Sequence, residues 1–245
     1  MYSNAYIFRY AGLMVILVAA ILSSAAMLLK PMQERNEAVD KMQSILDAAG
    51  IENVNSKNAI ELFNQYVTKM IVIDEKGVIT DEYKDAGKEN SEAFKVNLKE
   101  QLYNKSINRS FKLPLYVLEK DGEKINIVPL RGVGLWGPIW GNIALKDDFN
   151  TVIGVTFGHK SETPGLGAEI ETPVFTDLFP GKKIFNEKGD FVSVGVIKGG
   201  IENFPADVQR HNVDAISGGT ITSNGVNDMI KNVLESYVPY IQKRE

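Results

Sequence analysis

DAISGGTITSNGVNDMIKNVLESY, from Asp214 to Tyr237, carries both a helix and a place for a ligand. Val226, Met229, Ile230, Val233, Leu234 and Tyr237 recur at three- and four-residue steps, which predicts an amphipathic helix with one buried stripe. The turn ahead of it crowds Gly218 and Gly219 with Ser217, Thr220, Thr222 and Ser223. The first N–H groups of a helix have no internal acceptor and sit at the positive end of its dipole, so such a turn can hold a phosphate. Read alone, it is more often a plain helix cap, because Ser and Thr cap well and Gly accepts positive φ. No Lys follows the glycines as in a nucleotide P-loop, and the spacing is not that of a dinucleotide fold.

The chain has 245 residues, enough for one large domain or two small ones, with an ordinary globular composition. No acidic residue precedes Glu34; all 31 follow Leu29, against all but one (Arg9) of the 27 basic residues, a net of roughly −5 there. Nucleic acid needs a basic stripe, so it is set aside as a partner. There is no cysteine, which excludes disulfides, thiolate metal sites and lipoprotein modification. The two histidines, His159 and His211, are far apart in sequence, a poor basis for a metal centre.

Ala11 to Leu29, AGLMVILVAAILSSAAMLL, is 19 residues without a charge. As a helix it would be about 28 Å long, close to the hydrocarbon thickness of a bilayer. Tyr2, Tyr6, Phe8 and Tyr10 flank it as an interfacial belt would, and Pro31 is expected to mark its end. A cleaved signal peptide is the competing reading. The run exceeds the usual core of about 7–15 residues and no A-x-A site closes it, which favours a retained anchor. Arg9 on one side and Lys30 with Arg35 on the other barely choose an orientation.

Beyond the anchor, Met32 to Ala49 predicts a helix stopped by Gly50. A second is expected from near Ser56, carrying Ile60, Phe63, Val67 and Met70. IVID, Ile71 to Asp74, and the following VIT predict a hairpin, and a helix is expected over Ser91 to Asn104. LPLYVLEKDGEKINIVPL turns at Asp121-Gly122 and KIFNEKGDFVSVGVI at Lys188-Gly189, two more hairpins. IWGNIAL and TVIGVTF flank another turn at Asp147 to Asn150. The fold class is α+β: an N-terminal transmembrane helix, then a soluble domain with a mostly antiparallel sheet flanked by helices.

Two further segments are rich in glycine. HKSETPGLGA, His159 to Ala168, is a loop in which Leu166, between two glycines, projects either onto a flat ring or into the core. Glu162 and Thr163 stand beside it. RGVGLWGPIWG, Arg131 to Gly141, holds both tryptophans, Trp136 and Trp140, which suit either stacking on an aromatic cofactor or core packing.

Together the anchor, the AAG-terminated helix, the GLW-glycine segment, the ETPGLG loop and the C-terminal turn resemble one family. It is the C subunit of the Na+-translocating NADH:quinone oxidoreductase, with the related G subunit of the Rnf complex, membrane-anchored domains that carry covalent FMN. The family's attachment motif, Asp-x-x-Ser/Thr-Gly-Ala-Thr, falls on Asp214, Ser217, Gly218, Gly219 and Thr220, with Gly219 where Ala is usual. The resemblance implies a phosphoester between FMN and Thr220, installed by a dedicated flavin transferase, with Thr222 a minor candidate. It also implies that Glu162, Thr163, Leu166, Gly167 and Trp136 lie against the flavin. No acid–base pair, nucleophile–His pair or metal cluster is needed or visible.

The implied division is 1–10 as a short cytoplasmic N-terminus, 11–29 as the transmembrane helix, 30–70 as a helical neck and 71–245 as the FMN domain. The implied function is electron relay from NADH towards quinone in an ion-pumping complex of the bacterial inner membrane, with the flavin domain on the periplasmic side. The partners would be the other subunits of that complex. The Rnf-type subunit is the alternative within this chemistry, and a membrane-anchored non-redox binding or sensor domain is the alternative from another class.

Overall fold

A computed structural model describes residues 3–84 and 90–244; Tyr2, expected in the aromatic belt, lies outside them. The chain divides into two compact units, Met1–Lys41 and Met42–Glu245. The first consists of helix α1, Asn4–Ala48, whose last turns belong to the second unit. Its residues 11–29 are all exposed, and the helix is long and apolar enough to cross a membrane. Pro31 does not end it but sits inside. Proline removes one i→i−4 bond, the one to Met27, while the turns on either side keep their own, so the helix continues through it.

The second unit is built on a six-stranded sheet in the order β2-β1-β3-β4-β5-β6, antiparallel throughout. Its strands are β1 Val67–Asp74, β2 Ile79–Tyr83, β3 Lys112–Lys120, β4 Glu123–Val133, β5 Pro138–Lys146 and β6 Val152–His159. Helix α2 is short, Ala59–Tyr66, so Val67 and Met70, expected on it, open β1 instead. They pair with Leu118 and Tyr116 of β3, and the gain from a sheet ladder overrides a weak helical periodicity. The hairpins at Asp74–Val78 and Asp121-Gly122 form as read, the second with positive φ at both turn residues. The turn at 147–150 also forms, with Asp148 Oδ1 accepting from the N–H groups of Asn150 and Thr151.

Two further expectations are corrected, one between β2 and β3 and one after β6. The helix over 91–104 is two pieces, α3 Glu92–Lys95 and α4 Leu98–Ser106, because Asn97 leaves helical geometry and caps the second by accepting from Glu100 N–H. The hairpin at Lys188-Gly189 has no ladder. Phe185 and Phe191 share one bridge and an edge-on ring contact at 5.7 Å, while Asn186 Oδ1 takes the N–H groups of Lys188 and Asp190. The side chain thus replaces strand pairing. The VGVI end contributes β7, Gly195–Ile197, which pairs in parallel with β8, Asn212–Asp214.

The remaining helices are α5 Pro173–Thr176, α6 Ala206–Arg210, α7 Thr220–Glu235 and α8 Val238–Gln242. Helix α7 lays Val226, Met229, Ile230, Val233 and Leu234 on one sheet face, in a core with Leu115, Val128, Leu130 and Ile143. Met42, Ile45 and Leu46 of α1 are buried too, and Ser44 Oγ hydrogen-bonds Thr156 and Asn142 of the sheet. With both faces covered, β3 and β4 read as continuous apolar runs rather than alternating ones. Gly225 lets α7 close on β4: a Cβ there would strike the Val133 carbonyl. That approach brings the start of α7 beside the β4–β5 turn.

Candidate functional site

Three glycine-rich segments, distant in sequence, meet at the N-terminus of α7. The turn residues Gly218, Gly219, Thr220 and Thr222 and the loop residues Glu162, Thr163, Leu166 and Gly167 line one cavity of about 220 Å3. Leu135 and Ile221, which sequence reading passed over, line it as well. Leu135 is an apolar neighbour of Trp136 in the same segment, and Ile221 is an apolar residue left 57% exposed in a first helical turn. The available signal was an apolar residue beside each motif; its exposure shows only in the structure.

The turn leaves the start of α7 without a side-chain cap. Gly218 has φ +75°, a conformation other residues resist, and Gly219 caps α7 with no side chain to bond its N–H groups. Gly219 N–H itself donates to Ile216 O, and Ser223 Oγ accepts from Ile216 N–H, which stiffens the turn from within. The N–H groups of Thr220, Ile221 and Thr222 precede the first intrahelical acceptor and face the cavity end of the dipole.

The two threonines differ. Thr220 is exposed, and its hydroxyl has no hydrogen-bond partner among the described residues. Thr222 is 1% exposed and donates to Glu162 Oε2 at 2.6 Å. Glu162, also buried, accepts from Trp136 N–H at 2.8 Å through its other oxygen. Its own N–H donates to His159 Nδ1 at 3.1 Å, on the ring whose other nitrogen is Nε2. That atom is buried without a hydrogen-bond partner among the described residues, with Glu171 Oε2 at 3.6 Å.

Three expected residues stand apart from the cavity lining. Asp214 ends β8 and its carboxylate accepts from Ile201 N–H at 2.8 Å, tying the turn to the Ile201–Asn203 segment. Burial lowers the pKa of Lys182, which donates to Gln209 O, and the Asp214 charge works against that shift. Ser217 is exposed in the turn. Trp136 lies at the β4–β5 turn and is 63% exposed, and Trp140 is 40% exposed, so neither is a core residue. Leu166, 43% exposed, is likewise no core plug. A larger cavity of about 500 Å3 runs along the other flank of α7, past Leu102, Arg131 and Met229. It shares no residue with the glycine-rich turn.

Residues 134–235 match the FMN-binding domain family. Across 95% of its length the chain is 33% identical to the C subunit of the Na+-translocating NADH-quinone reductase of Pseudomonas aeruginosa, covering 96% of that protein. The chain belongs to this C-subunit family. The same subunit of Vibrio alginolyticus is 35% identical over 84% of this chain and 80% of its own. Among solved structures, the C subunit from Parabacteroides distasonis superposes with a TM-score of 0.72 at 38% identity, covering 87% of this chain and 96% of that one. NqrC from Shewanella oneidensis gives 0.65 at 25% identity, covering 85% and 99%.

The matched segment runs from the β4–β5 turn to the end of α7, and so contains the whole cavity. The residues present fit FMN at its phosphate end. The donors are uncapped, and the turn leaves room that a side chain at Gly218 would take, since a Cβ there would lie 2.7 Å from Leu166 Cδ2. At about 220 Å3 the cavity is below the roughly 300–1,000 Å3 of pockets that enclose a whole ligand. A cavity of this size suits a phosphate and a short stretch of chain rather than a whole flavin.

Proposed function

We propose that this chain is the membrane-anchored flavin subunit of a Na+-translocating NADH-quinone reductase, relaying electrons through FMN bound to Thr220 by a phosphoester. The carrying observation is the contrast between two hydroxyls on one helical turn. Thr220 is exposed and unengaged among the described residues, at the cavity and at the dipole's positive end. The Thr222 hydroxyl is buried and spent on Glu162. A transferase acting on the folded domain therefore meets Thr220.

FMN, when bound, accepts and passes on electrons; the protein supplies position and surroundings. The N–H groups of Thr220, Ile221 and Thr222 would hold the phosphodiester's charge, and Gly218 and Gly219 would keep the backbone open to it. Leu135, Leu166 and Ile221 would present apolar surface beside the chain that leads to the ring. Among the described residues, Glu162 is the one ionisable group lining the cavity, and both its oxygens accept from protein donors, so it offers no free base. An ester keeps the carrier from dissociating during turnover.

The uncharged run 11–29 supports a membrane anchor, and the other subunits of the reductase are the proposed partners, after the relatives' names. The family resemblance supports a periplasmic flavin domain, and a neutral-to-basic N-terminus permits it. No observation favours the Rnf-type or sensor reading over this one. The test is co-expression with a flavin transferase, followed by ultraviolet fluorescence of the denatured, washed band and intact mass. A dark band with no mass gain of one FMN residue overturns the covalent mechanism.

A further inference from the structure

We propose that Ser161 and Glu162 are positioning residues that hold Trp136 at the flavin; this rests on the FMN reading above. Trp136 is 63% exposed, yet its backbone is gripped from both sides by side chains of the 159–168 loop. Its N–H donates to Glu162 Oε1 at 2.8 Å and its carbonyl accepts from Ser161 Oγ at 3.0 Å. The turn itself is closed by Gly134 N–H donating to Gly137 O at 2.8 Å.

The grip is costly to build. Burying a carboxylate is unfavourable by several kcal/mol unless its oxygens are satisfied. Here the chain clears a slot for it. A Cβ at Gly134 would lie 2.6 Å from Oε1, and one at Gly167 2.6 Å from Oε2. The glycines of the GLW segment and of the ETPGLG loop are thus two walls of one recess. Its second oxygen takes the Thr222 hydroxyl, which links the Trp136 peptide to the first turn of α7 through a single carboxylate. The brace ties an exposed surface turn to the start of a helix. What the brace secures is the placement of the ring relative to the N-terminus of α7, where the phosphate is proposed to sit. Leu135, the adjacent residue, lines the cavity, so the brace fixes the peptide next to a lining residue.

An indole in contact with isoalloxazine quenches its emission by donating an electron to the excited ring, so time-resolved flavin fluorescence of the full-length, loaded chain reads the placement. The expected wild-type decay has a dominant short-lived component. Trp136→Phe loses it, while Trp140→Phe, whose ring lies over Gly158, keeps it. Ser161→Ala and Glu162→Ala broaden the decay into several components. Glu162→Gln keeps it, because the amide oxygen accepts from Trp136 N–H and the amide N–H reaches Thr222 Oγ1.

A short component absent from wild type or surviving Trp136→Phe overturns the proposal, and leaves the held ring as a contact for a partner protein. Glu162→Gln behaving as Glu162→Ala overturns the positioning role. Should Glu162→Ala not fold, Ser161→Ala, at an exposed hydroxyl, decides: an unchanged decay counts against the grip. A dark denatured band defeats covalent attachment instead, and the same decays are then read with added FMN.

Discussion

Thr222 Oγ1 lies 2.6 Å from Glu162 Oε2, and the two residues are 1% and 4% exposed. This buried bond joins the first turn of α7 to the loop across from it, 60 positions away in sequence. It sets the buried Thr222 hydroxyl apart from the exposed Thr220 on the same helical turn.

Thr220→Ala is expected to abolish flavin attachment while changing stability by less than about 0.5 kcal/mol, as at other unengaged surface positions. Thr222→Ala should keep the flavin but cost about 1–3 kcal/mol, since it leaves a buried carboxylate oxygen without its donor. Peptide mapping and urea unfolding check the pair. Flavin on Thr222 in the Thr220→Ala chain would contradict the assignment.

Gly167→Ala should be among the more damaging small substitutions. The new methyl would collide with Thr222 Oγ1 and sit 2.6 Å from Glu162 Oε2. Overpacking of this kind costs about 1–3 kcal/mol, and here it also separates the bonded pair. A midpoint within error of wild type in urea would show that the slot is softer than its geometry.

Gly219→Ala restores the residue usual in the family motif. Its φ of −102° suits any residue, and the added Cβ would lie 3.1 Å from Ile216 Cγ2, a contact that a small side-chain shift relieves. Loss of a Gly cap should cost about 0.5–1 kcal/mol, with attachment at Thr220 retained. Thermal unfolding with intact mass tests both. Failure of attachment would mean that this chain's transferase requires the glycine.

Alkaline stability should follow two buried tyrosines. Burial pushes the Tyr237 phenol well above its ordinary value of 10.0, and raises Tyr116 too. The folded state therefore keeps protons that the unfolded chain releases, so stability is intact below about pH 10 and falls as pH climbs above it. Tyr237→Phe should flatten that fall. At neutral pH it should cost about 1–2 kcal/mol, because Tyr237 Oη donates to Pro114 O at 2.6 Å. Guanidinium midpoints measured from pH 7 to 11 give both numbers, and an unchanged alkaline slope would count against Tyr237.

The chain has no cysteine, so Lys188→Cys at an exposed turn gives one label site. A membrane-impermeant maleimide should label it in spheroplasts. Labelling only after lysis would place the flavin domain on the cytoplasmic side.

By itself the sequence determined the features that repeat along the chain. The apolar period of α7, the uncharged run of α1, the Asp121-Gly122 hairpin and the open Gly218-Gly219 turn are local, since each depends on residues within a few positions of one another. The same local reading failed where distant partners outweighed it. Val67 and Met70 left the helix for a ladder with β3, and the 183–197 segment lost its hairpin to Asn186. At the site, the motif put the expected attachment on Thr220 and left Thr222 a minor candidate, but it did not show that the Thr222 hydroxyl is buried against Glu162. Nor did it show that Asp214 turns away to Ile201 while Glu162 turns inward between two glycines. Those outcomes depend on which donors the fold brings within hydrogen-bonding reach of a buried carboxylate, and only the packing of α7 on β4 decides that.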